Sequence, residues 1–145
     1  LRIEKGHVTG AELDGRVTIE DVGLGKMAST KKSYIGSAMK NRGILNDPDR
    51  KKLVGFFPID KSKTFDAGSL VCEKNKIKDY GIGRITSVTH SPELGHWIGL
   101  GFITGGYDLW KDKTVIAADP IRNNNVEIKV VKSHMLDPEG MRMHG

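Results

Sequence analysis

The chain has 145 residues, 37% hydrophobic and 28% charged, the composition of an ordinary globular protein long enough to bury a sizeable core. Its 23 Lys and Arg outnumber its 18 Asp and Glu for a formal charge of +5, which leaves an anionic partner open, while a 6% aromatic content argues against extended base-stacking platforms. No apolar run is long enough to span a membrane, and Cys72, the single cysteine, excludes an intrachain disulfide framework and fits a reducing, cytoplasmic setting.

Eighteen glycines favour turns and therefore β structure. The chain begins at Leu1 inside a patterned segment, which reads as a portion of a longer polypeptide. Arg2 to Val8 alternates and is a short strand candidate. Glu12 follows in a turn flanked by Gly10 and Gly15, where a carboxylate can offer two acceptor oxygens to a flat, donor-rich heterocycle. Thr18-Ile19-Glu20-Asp21 has the form of a capped helix start, stopped quickly by Gly23 and Gly25. A second helix is expected over Ser33–Arg42, with Tyr34, Ile35, Ala38 and Met39 on one side. The polar turn Asn46-Asp47-Pro48-Asp49 is the best internal boundary, dividing residues 1–48 from 49–145.

Beyond that boundary the period becomes that of strands. Lys52–Pro58, Ser69–Glu73, Gly83–Thr89, Trp97–Ile103, Thr114–Ala118 and Val126–Val131 form a set of six separated by short turns, which predicts a barrel or sandwich. Leu70 and Val71 beside Cys72 suggest a buried, structural thiol. Ser91-Pro92-Glu93 resembles a helix N-terminus, though Leu94-Gly95 would close it within one turn, as at a structural corner. Asp137–Arg142 reads as a turn with an ion-pair option.

Chemistry-bearing motifs are few. Gly81 and Gly83 lack the third glycine and the helix of a dinucleotide fingerprint. His7, His90, His96, His134 and His144 have no metal-ligand spacing, so no metal site is expected. Neither a Gly-x-Ser-x-Gly elbow nor a Walker loop occurs, and no catalytic residue is assigned. Ten Lys and Arg lie between Lys26 and Lys63 against Asp47, Asp49 and Asp60; they form either a solvated face or an anion site.

Three blocks together carry a family resemblance. Leu1–Gly6 with Gly10–Asp14, Lys32–Gly36, and Gly83–Ser87 with Ser91–Gly95 and Ile98–Leu100 resemble, in order and spacing, blocks of the glycine-cleavage T-protein, an aminomethyltransferase. Thr18–Lys26 and Leu136–Gly145 further resemble the T-protein-like end of sarcosine oxidase alpha subunits. That resemblance implies a mostly β fold: a six-stranded C-terminal barrel preceded by a small α+β segment belonging to the middle, folate-binding domain. It implies tetrahydrofolate as cofactor, with Glu12 accepting hydrogen bonds from the pterin and Arg84 beside the ligand. FAD, FMN and NAD of such an enzyme would lie outside this chain, as would the family's catalytic Asp. Implied partners are the upstream part of the same subunit, the other oxidase subunits and folate, with no nucleic acid and no membrane. Thr9 replaces the Tyr that usually precedes Gly10 in the family, and Ser33 stands where an acid is common. Competing readings are an aminomethyltransferase portion, a structural or interaction barrel, a folate-dependent relative of the same fold, and an RNA-binding barrel, the last disfavoured by sparse aromatics.

Overall fold

The computed structural model describes residues 1–77 and 80–143; His144 and Gly145, at the end of the C-terminal block, lie outside the described residues. Six strands succeed the polar turn: β1 (Lys51–Pro58), β2 (Leu70–Glu73), β3 (Gly83–Ser91), β4 (His96–Thr104), β5 (Thr114–Asp119) and β6 (Asn124–Val131). All pair antiparallel, in the order β1-β4-β3-β2-β5-β6, and β1 meets β6 to close the barrel. Closure gives every strand a neighbour on both sides, although β2 meets β3 over only two residues. One turn of helix, α1 (Tyr107–Trp110), plugs the connection from β4 to β5, with the Trp110 indole donating to the Thr104 carbonyl at 2.7 Å.

Period-2 alternation sorts the strand side chains. Val54 and Phe56 of β1, Val71, Ile85, Val115, Ala117, Val126, Ile128 and Val130 fill the interior with Phe65 and Trp110. On the outer wall, Ile98 and Leu100 of β4 are equally buried, because Ile3, Phe57, Leu94 and Met135 cover them. Cys72 packs outside with Ile116 and Ala118, as a buried thiol. Gly55, on that outer wall, would place a Cβ 2.8 Å from the Lys132 carbonyl, the Met135 methyl and Val131. Gly55→Ala is expected to cost about 1–3 kcal/mol through overpacking, read as a lower urea midpoint; an unchanged midpoint contradicts this close approach.

The first fifty residues are less regular than their pattern suggests. Residues 2–6 are consecutive turns rather than a strand, with Lys5 donating to Leu1, Gly6 to Ile3 and His7 to Arg2 through the backbone. Ile3 and Glu4 are both buried, which strand alternation cannot achieve, and the Glu4 carbonyl accepts from the Met135 and Leu136 amides at 3.0 Å. The reciprocal cap of Thr18 and Asp21 does form, amide to side chain at 2.9 and 3.2 Å, yet no α-helix ensues: Gly23 turns left-handed at φ 78° and only a 3-10 turn, Gly25–Met27, follows. The helix expected over residues 33–42 reduces to a 3-10 turn at Ser37–Met39 with no buried residue. A helix that short needs a buried face to hold it, and here Tyr34 and Met39 stay part-exposed along a cleft with Ile19 and Leu45. Ser91 starts the β3–β4 turn, accepting from the Leu94 amide at 3.1 Å, so that sequence is a corner and not a helix.

Candidate functional site

β3 carries an irregularity where the site forms. Its pairing with β4 slips between Ile85, opposite Gly101, and Ser87, opposite Leu100, so Thr86 is the extra residue of a bulge. A bulge breaks the alternation of faces, and here it turns two consecutive hydroxyls onto one carboxylate. Thr86 Oγ1 and Ser87 Oγ each donate to Glu12 Oε1 at 2.6 Å. Glu12 Oε2 accepts from the Thr9 amide at 2.8 Å, the Thr9 hydroxyl at 3.1 Å and Arg2 Nη1 at 3.4 Å. Arg2 also donates to Ser87 Oγ at 2.9 Å and to the His7 carbonyl at 2.8 Å.

Glu12 is 0% exposed. Burial pushes its carboxyl upward, but the Ser87 and Thr86 hydroxyls and the amide and hydroxyl of Thr9 outweigh that and hold it below the usual range. Five donors exceed the roughly four lone-pair positions of a carboxylate, so the charge is satisfied inside the protein.

Two residues on, the chain emerges into a cleft of about 280 Å³ lined by Asp14, Arg16, Val17, Asp21, Arg50, Lys51, Arg84 and Phe102. Asp14 Oδ2 takes Arg84 at 3.2 Å and Arg16 at 2.6 Å. Arg16, by side chain and amide, brings the Asp14 carboxyl down to about 2. The Arg84 guanidinium lies 5.3 Å over the Phe102 ring, leaving its N–H edge for the cleft. Four cations against two carboxylates leave this cleft net positive.

Sequence reasoning named Glu12 and Arg84, and the two sit on either side of Asp14: one buried, the other facing the cleft. It missed Arg2, Thr9, Thr86 and Ser87, whose roles depend on the bulge, and the Asp21–Arg50 pair. The basic run from Lys26 to Lys63 does not make one patch. Arg50 and Lys51 line the arginine cleft, Lys40 pairs with Glu20 at 3.2 Å, and Lys61 joins Lys111, Lys113 and Lys129 around a separate cleft beside Phe57. The turn at Asp137 has its ion pairs, to Lys5 at 3.4 Å and from Arg142 to Glu93 at 2.8 Å. Among the described residues no group of three His, Cys, Asp or Glu side chains could hold a metal ion, and no helix is long and apolar enough to cross a membrane.

A closed antiparallel barrel, with residues 1–21 held as an N-terminal strap against its outer wall, defines the class of domain. The profile of the glycine cleavage T-protein C-terminal barrel domain matches residues 51–137, and the chain belongs to that family. A sarcosine oxidase subunit alpha from Rhizobium meliloti is 33% identical over 147 residues, spanning 99% of this chain and 15% of that protein. An aminomethyltransferase from Bdellovibrio bacteriovorus is 33% identical over 139 residues, spanning 92% of this chain and 35% of its own length. The chain thus spans about a seventh of the oxidase relative and a third of the transferase. In fold, it is similar to the glycine cleavage system aminomethyltransferase T of Bartonella henselae, with a TM-score of 0.75 and 19% identity over 95% of this chain and 37% of that one.

Proposed function

We propose that this chain is the C-terminal part of a sarcosine-oxidase-alpha-type polypeptide in the cytoplasm. Its T-protein-like module captures on tetrahydrofolate the one-carbon unit released when an N-methyl amine is oxidised. The observation that supports this is convergence: Arg2, Glu12 and the Gly83–Ser87 stretch, from blocks far apart in sequence, meet at one junction. The oxidase relative also runs along slightly more of the chain than the transferase does. In this reading FAD, FMN and NAD are held by other parts of the complex, and the partners are the remainder of the same polypeptide and the other subunits.

The residues fit a folate unevenly. Its carboxylate-bearing tail suits the cleft of Arg16, Arg50, Lys51 and Arg84, where guanidinium forks match carboxylates. Its pterin donor pair finds no free acceptor on Glu12. Bound tetrahydrofolate supplies the nitrogens that take up the one-carbon unit; this chain's part is to hold and orient the tail and to keep Arg84 in place through Asp14.

The test is tetrahydrofolate titration of the polypeptide that carries this chain. Arg84→Ala is expected to weaken binding about tenfold, the loss of one charge-assisted contact. Unchanged affinity removes Arg84 from the site, and no binding by the unsubstituted protein overturns the folate reading.

A further inference from the structure

Glu12 unites three features. Its carboxylate is wholly buried, it is saturated by donors from both the N-terminal strap and β3, and it stands two residues before the aspartate that holds Arg84. A ligand contact needs at least one acceptor facing the cleft, and Glu12 does not line that cleft. Buried, fully satisfied polar clusters fix one arrangement of the elements they join. We infer that Glu12 is a positioning residue, whose carboxylate clamps the N-terminal strap to the β3 bulge and so sets Asp14, Arg16 and Arg84 along the cleft.

The clamp has a definite order. Arg2 donates to Ser87, Ser87 donates to Glu12, and Thr86 donates to the same oxygen, so strap and barrel are crossed by one hydrogen-bond chain. Thr9 closes the turn on the strap side with both amide and hydroxyl. The turn then continues through the Thr9 carbonyl, which accepts from the amides of Glu12 and Leu13 at 2.9 Å, and delivers Asp14 to Arg84. Losing the clamp frees Asp14 to leave Arg84, although neither residue is altered.

The clamp rests on the folate reading only for its binding arm. Glu12→Gln, Thr86→Val, Ser87→Ala and the Glu12→Gln/Ser87→Ala double variant are compared in the polypeptide that carries this chain. Two readouts are taken: thermal unfolding, and tetrahydrofolate affinity far below every melting temperature. A clamp predicts that all three single variants melt earlier and bind roughly tenfold more weakly, within the coupling range of one network, and that the double variant loses less than the sum. A role confined to stability would leave affinity unchanged in the still-folded variants and overturns the inference. Weaker binding in Glu12→Gln alone, with Thr86→Val and Ser87→Ala unaffected, also overturns it, because that is the signature of direct contact. Should the unsubstituted protein bind no tetrahydrofolate, the folate reading falls, and the melting cycle alone decides: additive losses overturn the clamp and non-additive losses support it. If Glu12→Gln does not fold, Thr86→Val and Ser87→Ala give the same decision.

Discussion

Phe56→Ala is expected to lower the free energy of unfolding by about 3–5 kcal/mol. Phe56 is 0% exposed in the barrel interior. It stands opposite Gly99 in the register, and its ring rests against Gly101, where an added Cβ would lie 3.0 Å from the ring edge. Phe65 lies over Gly99 in the same way, at 2.6 Å. The two rings therefore occupy volume that β4 leaves by having glycine at two successive inward positions, 99 and 101. Gly101 cannot be enlarged in compensation, because its Cβ would meet the Arg84 carbonyl at 2.2 Å. The alanine variant leaves a cavity lined by strands that are hydrogen-bonded on both sides and relax little. Urea unfolding with an unchanged slope and a reduced midpoint is the expected record; a loss under about 1 kcal/mol would show that the barrel collapses around the gap.

The barrel was legible because short apolar, β-prone runs recur between turn residues, and all six expected strands agree with the structure to within a few residues. The consequences of strand pairing were less visible. Gly83–Thr89 reads as clean alternation, and nothing in Ile85-Thr86-Ser87 announces a bulge; that depends on which β4 residue each one faces. The strap was misread for a related reason. Arg2–Val8 alternates, but it has no sheet edge to join, since the barrel is closed, so its amides bond locally in turns. Residues 33–42 carry a helical stripe of Tyr34, Ile35 and Met39 of which none is buried: Tyr34 and Met39 only line a shallow cleft with Ile19 and Leu45, and Ile35 remains fully exposed. Glu12 was recognisable as unusual, a carboxylate among glycines. Its burial was not, because two of the donors that satisfy it, Thr86 and Ser87, come from distant sequence and reach it only through the bulge.

Asp21→Ala is expected to cost about 3 kcal/mol and to change how stability responds to acid. Removing one member of a buried ion pair leaves the other charge uncompensated. The Asp21 side chain is 4% exposed and that of Arg50 18%. Arg50 Nε reaches Oδ1 at 3.1 Å and Oδ2 at 3.2 Å, its Nη2 bonds Oδ2 and also the Arg16 carbonyl at 2.9 Å, and the Thr18 amide donates to Oδ2 at 2.9 Å. The Asp21 carbonyl accepts from the Leu53 amide at 2.7 Å, tying the strap to β1. Burial alone would raise the Asp21 carboxyl, but Arg50 and Thr18 outweigh it and hold the group below its ordinary value. A carboxyl lowered on folding adds stability that is complete above its unfolded pKa, near 4, and fades as pH falls through the folded value. Acidification from pH 7 to pH 3 should therefore melt the unsubstituted protein progressively earlier, and Asp21→Ala, already weaker at pH 7, should lose less over the same interval. Glu12, Glu4 and Asp14, lowered in the same sense, are among the carboxyls that contribute the remaining slope. Parallel melting curves against pH for the two proteins would refute the assignment. Convergence at low pH would establish that the strap is fastened electrostatically beside the cleft that Arg50 and Arg84 share.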